Sequence, residues 1–203
     1  MVMATRAGNS SRARRAAASK PRPWTRAELK RLPDDGNRYE VLDGMLLVTP
    51  QASHAHQLVA LEFATRLKEY VRAFAVAHVV GPGAVPFGTN ELQPDVQVIP
   101  GPSSTIEWAA CPAPILVIEV LSASTRHRDF GVKLDAYLSR VGVPTVWVVD
   151  HVKRQVHVAE RGREPRVERQ TLEWNAPGTP QTLRIDLLAF FKDALGSGGE
   201  EPE

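Results

Sequence analysis

A single cysteine, Cys111, is all the thiol chemistry the 203 residues contain, so an internal disulfide framework is excluded. No His and Cys residues fall at zinc-binding spacing, and Cys111 reads as a loop residue between Ala110 and Pro112. No apolar run approaches the ~18 residues that a membrane span requires. The basic N-terminal segment leads into Ala16-Ala17-Ala18-Ser19 and not into an apolar secretory core, which argues for a soluble cytoplasmic protein. Internal repeats, a phosphate-cradling glycine motif and a serine nucleophile elbow are also missing.

What is present is enough for one core. The chain is 43% hydrophobic, and neither its length nor its composition calls for a second domain. The net charge of +2 conceals an asymmetry. Arg6, Arg12, Arg14, Arg15, Lys20 and Arg22 stand in the first 22 residues with no acid among them, which leaves −4 for the remainder. We therefore expect a disordered basic tail over 1–22, one folded domain over 23–195 and a flexible acidic tail over 196–203. The basic tail is either a phosphate-contacting arm or simply solvated.

Along the domain, Thr25 with Glu28 three residues on forms a capping box for a short helix. Asp43-Gly44 joins Arg38–Leu42 and Met45–Val48 as a hairpin. Residues 53–77 carry a helical stripe of Ala60, Ala64, Leu67, Val71 and Phe74 behind Ser53 as N-cap. His54 and His56 lie in its first turn, as capping or surface residues or as neighbours of a cleft. Residues 78–80 and 84–87 read as strand ends around Gly81-Pro82-Gly83, at an edge or bend. Val143–Val149 is a further strand with Gln155–Ala159 as its hairpin partner, and 186–195 closes the chain as a helix.

Two strands carry one acid each. Ile115–Ile118 is a β-branched run of the kind buried on both faces, yet it meets Glu119 before Val120-Leu121 continues it. An unpaired ionised carboxylate buried there costs several kcal/mol, so Glu119 requires a polar cleft, a cation or a metal. The Gln93–Ile99 strand carries Asp95 just after Pro94. After the Ser122–Thr125 turn, a helix over 126–140 places Phe130, Leu134, Tyr137, Leu138 and Val141 at helical spacing. Lys133 borders that stripe, so its stem can lie along the sheet while its ammonium reaches the strand ends. Periodicity alone favours a plainer role, an i,i+4 surface pair with Asp129 worth at most ~0.5 kcal/mol.

Pro94-Asp95, Glu119-Val120-Leu121-Ser122-Ala123-Ser124-Thr125, Asp129 and Lys133 together resemble the signature of the Uma-two family of predicted restriction endonucleases, a branch of the PD-(D/E)xK nuclease superfamily. Arg38–Gly44, His56-Gln57, Gly142-Val143-Pro144 and Trp147–Asp150 match as well, so the resemblance covers residues 37–158. The superfamily's lysine slot, two residues after Glu119, holds Leu121. The resemblance implies that Lys133 has taken that role from the following helix. It also implies a restriction-endonuclease-like α/β fold, a mixed central sheet flanked by helices. Glu40 is then either a further acid of the site or a solvent-facing strand residue.

Such a set suits phosphodiester hydrolysis. Asp95 and Glu119 are expected to hold Mg²⁺, with Mn²⁺ as a substitute, and Lys133 to orient water or stabilise transition-state charge. The expected function is a metal-dependent endonuclease acting on DNA as a homodimer. RNA or a smaller phosphodiester is an alternative substrate, and a non-catalytic nuclease-fold binding module is the alternative function.

Overall fold

The computed structural model describes residues 22–101, 107–122 and 129–196, so both expected tails fall almost wholly outside it. The first helix, α1 (Arg26–Leu29), starts on the expected capping box: Glu28 Oε2 accepts from the Thr25 backbone N–H at 2.9 Å. β1 (Arg38–Leu42) and β2 (Met45–Thr49) form the hairpin, with Leu42 opposite Met45. Asp43 at φ 52° and Gly44 at φ 77° supply the two left-handed residues its turn demands.

α2 (His54–Arg72) follows, capped by Ser53 Oγ, which accepts from the His56 N–H. It ends five residues earlier than its sequence pattern suggested, because Ala77 opens β3 (Ala77–Val80). The segments on either side of Gly81-Pro82-Gly83 do not pair. β3 joins the large sheet, whereas β4 (Val85–Phe87) pairs with β5 (Asn90–Leu92) in a small one. Pro86 donates nothing to a ladder, and β4 is accordingly an edge strand.

The large sheet is completed by β6 (Val96–Pro100), β7 (Leu116–Val120), β8 (Thr145–Asp150), β9 (Gln155–Glu160) and β10 (Arg166–Glu168). Its order is β10-β9-β8-β7-β6-β3, and the small sheet runs β2-β1-β5-β4. Only the β7–β8 pair is parallel, so the large sheet is mixed. The crossover between those two strands contains α3 (Asp129–Asp135), which runs on as a π-helical turn over Ala136–Val141 and stops at Gly142, φ 85°. β11 (Thr171–Trp174), β12 (Leu183–Asp186) and α4 (Leu187–Leu195) end the described chain.

Strand alternation decides which side chains meet where. Leu116, Ile118 and Val120 of β7 face α2 and α4, joining Phe63, Leu67, Phe190 and Phe191 in the larger core. Val117 faces the other way, into a second core with Leu42, Leu92, Ala136, Tyr137, Val146 and Val148. Glu119 shares the Val117 face, on the side where the small sheet and the π turn pack. The result is one mixed α/β domain. No described helix is long and apolar enough to cross a membrane.

Candidate active site

β6 and β7 run antiparallel with Val96 opposite Ile118. Asp95 precedes the one and Glu119 follows the other, so the two acids stand beside each other on adjacent strands. Asp95 is 3% exposed, and three elements hold its carboxylate. Arg38 of β1 donates from Nη2 to Oδ1 at 2.7 Å. The Val120 backbone N–H donates to Oδ2 at 2.8 Å, and His56 Nε2 of α2 lies 3.1 Å from the same oxygen. Burial alone would raise the Asp95 carboxyl, but its hydrogen bond from His56 and the Arg38 charge outweigh it and hold it below the usual range.

Glu119 is in the opposite condition. Burial pushes its carboxyl up to about 7; Lys133 draws it down, while Asp95 and Glu40 push it further up. Tyr137 O–H donates to Glu119 Oε1 at 2.8 Å, and Lys133 Nζ lies 3.7 Å from that oxygen. No protein donor reaches Glu119 Oε2 among the described residues.

Lys133 makes its short contact elsewhere, donating to Glu40 Oε2 at 2.6 Å. Burial works against the Lys133 ammonium, yet the Glu119 and Glu40 carboxylates outweigh it and raise its pKa above the ordinary value. Glu40 is fully buried, and its Oε1 accepts from the Gln93 backbone N–H at 2.8 Å. It is therefore no solvent-facing strand residue, and it serves as the anchor of Lys133. The Asp129 side chain, the partner in the surface-pair reading of Lys133, lies outside the described residues.

Arg38, His56, Asp95, Glu119, Lys133 and Tyr137 line one cleft of about 60 Å³, with Leu134, Val146 and Val148 among its apolar walls. Three of the four sequence-derived residues, Asp95, Glu119 and Lys133, line it, and the fourth, Glu40, bonds one of them. Two more were missed. Arg38 lies two residues before Glu40 on the same face of β1, and Tyr137 lies one turn after Lys133. Strand and helix periods link each to its neighbour, but in the sequence Tyr137 stands as one more member of an apolar stripe.

The family model described as "Putative restriction endonuclease", Uma2, matches residues 26–188, a span that contains every residue of the cleft. The chain belongs to the Uma2 family. A solved structure with a similar fold is that of a "putative nuclease belonging to DUF820" from Anabaena variabilis ATCC 29413. It aligns with a TM-score of 0.71 at 20% identity, over 85% of this chain and 100% of that one. At that identity it shows the fold, a mixed α/β domain. No curated protein matches the chain.

Whether this Uma2 cleft suits a cation can be judged from its donors. Among the described residues no group of three or more His, Cys, Asp and Glu side chains is placed to hold a metal ion, so protein ligands would number two carboxylates. Among the described residues Oδ2 of Asp95 accepts two hydrogen bonds, Oδ1 one and Glu119 Oε2 none, which leaves acceptor capacity on each acid. Two carboxylates with the remaining positions filled by water is the habit of Mg²⁺. Burial, with the Asp95 and Glu40 charges adding to it, raises the Glu119 carboxyl, and a divalent ion beside it would draw it down again. The residues fit a hard divalent ion.

Proposed function

We propose that this Uma2 protein is a divalent-metal-dependent endonuclease that hydrolyses DNA phosphodiester bonds at the Asp95–Glu119–Lys133 cleft. The observation that carries the reading is the pairing of two acids on adjacent strands with an ammonium 3.7 Å from one of them, all at one cleft. Asp95 and Glu119 would hold Mg²⁺, with Mn²⁺ as a substitute. A bound ion of this kind supplies a more acidic water and neutralises charge on the phosphate.

The protein's own groups do the rest. Lys133, fixed by Glu40, sets a compact positive charge beside Glu119, where it orients an attacking water or offsets the charge that grows on the phosphoryl oxygens. Tyr137 fixes the Glu119 carboxylate by donating to Oε1. Arg38 keeps N–H groups beyond those it gives to Gln93 O and Asp95 Oδ1, and those groups suit a phosphate oxygen.

A second reading, a nuclease-fold module that binds without cutting, draws on the three donors already seated on Asp95. Calorimetric Mg²⁺ titration separates the two. The endonuclease reading expects binding by the wild-type protein that Asp95→Asn and Glu119→Gln each weaken. A wild-type protein that takes up no Mg²⁺ or Mn²⁺ at millimolar concentration would leave the binding module standing. Parallel cleavage assays on DNA and RNA decide the substrate.

A further inference from the structure

The three donors on Asp95 differ in what else they do. Arg38 also donates from Nη1 to the Gln93 carbonyl at 2.7 Å, and the Val120 N–H belongs to a strand end. His56 has no second task. It is 5% exposed in the first turn of α2, its Nε2 lies 3.1 Å from Asp95 Oδ2, and its Nδ1 is buried without a hydrogen-bond partner among the described residues.

Because the carboxylate oxygen is an acceptor, Nε2 carries the proton, and Nδ1 is left as a buried nitrogen with nothing to bond. Such an orphan costs stability, and what offsets it is the bond that Nε2 gives the buried Asp95 carboxylate. The imidazole therefore earns its place at this position through Asp95. Helix α2 can aim it because Val59, Phe63 and Leu67 dock the helix on the sheet that carries Asp95.

We infer that His56 is a positioning residue that locks the Asp95 carboxylate in one rotamer, its Nε2–H filling Oδ2 together with the Val120 N–H so that Oδ1 is the oxygen left with acceptor capacity. The inference rests on the reading of Asp95 as a cation ligand. Partners that orient a ligand in this way change metal affinity by roughly 10- to 100-fold when removed. A purely structural histidine, when replaced, would leave the Asp95 rotamer and the Mg²⁺ affinity unmoved.

The test compares wild type, His56→Leu and His56→Gln; glutamine carries an amide nitrogen near the place of Nε2, and leucine carries none. Three-bond couplings of Asp95 in the metal-free protein report its χ1, calorimetry reports Mg²⁺ affinity and thermal melting reports stability. His56→Leu should average the Asp95 rotamer and bind Mg²⁺ roughly 10- to 100-fold more weakly, with melting showing that the variant is folded. His56→Gln should restore a single rotamer and most of the affinity. Should His56→Leu not fold, His56→Asn takes its place, since its shorter amide does not reach Asp95. A single Asp95 rotamer in the donor-free variant, or a glutamine variant as poor as leucine, overturns the inference. If wild type takes up no Mg²⁺, the cation reading of the cleft falls, and the metal-free rotamer measurement still decides what His56 does.

Discussion

Glu119→Gln should make the metal-free protein more stable at pH 8 and leave it unchanged at pH 4. The Glu119 carboxyl is raised from 4.5 to about 7 by burial, with Asp95 and Glu40 adding to the effect against Lys133. Between those two values the folded protein keeps a proton that the unfolded chain has released, so stability falls as the pH rises and the loss is complete above about 7. At about 1.4 kcal/mol per pH unit the ionised side chain costs the fold on the order of 3 kcal/mol. The side chain is only 16% exposed, so solvent screens little of this. Glutamine preserves the volume and still offers Oε1 to Tyr137, but has no charge to bury. With about 2–4 °C per kcal/mol for a chain of this size, melting at pH 8 should rise by roughly 6–12 °C. Mg²⁺ should narrow the gap by stabilising wild type alone. Equal melting of the two proteins at pH 8, or a variant that is weaker at every pH, would refute the reasoning.

Lys133→Met leaves the fully buried Glu40 without its cation and should cost about 3–5 kcal/mol, whereas the i,i+4 surface-pair reading allows at most ~0.5 kcal/mol. Adding Glu40→Gln should recover most of that loss, a coupling that a denaturation double-mutant cycle measures directly. In the Glu40→Gln/Lys133→Met protein, cleavage should fall roughly 10²- to 10³-fold while Mg²⁺ affinity stays within a few-fold of wild type. Deleting residues 1–22 should flatten the salt dependence of DNA binding without altering Mg²⁺ affinity; an unchanged slope would make the tail a solvated extension. Light scattering at micromolar concentration should give twice the 22.3 kDa chain mass if two clefts act together on a duplex, and the chain mass itself would remove the dimer from the account.

Much of this was legible along the chain because it is written in local periods. Asp43-Gly44 announced a hairpin that forms with Leu42 against Met45, and the apolar run ending in Glu119 announced a doubly covered strand bearing one conspicuous acid. The contacts between elements were not legible. Lys133 meets Glu40 across 93 positions, and nothing in the helical period around Lys133 points to β1. Arg38 reaches Asp95 across 57 positions for the same reason. Tyr137 looked apolar because its ring is: it is fully buried in the second core, and only its hydroxyl reaches Glu119. The split of residues 78–87 between two sheets was hidden because each half was judged against its neighbour in sequence, while its partners, β6 and β5, lie further on.

The proposed chemistry has the acids at this cleft cut phosphodiester bonds by means of a bound cation. It is tested most directly by incubating one DNA substrate with wild type and Glu119→Gln, each in Mg²⁺ and in excess chelator. Cleavage by wild type in Mg²⁺ alone, and none by the more stable Glu119→Gln protein, is the predicted result. Cleavage that persists in chelator, or that Glu119→Gln sustains at the wild-type rate, would contradict it.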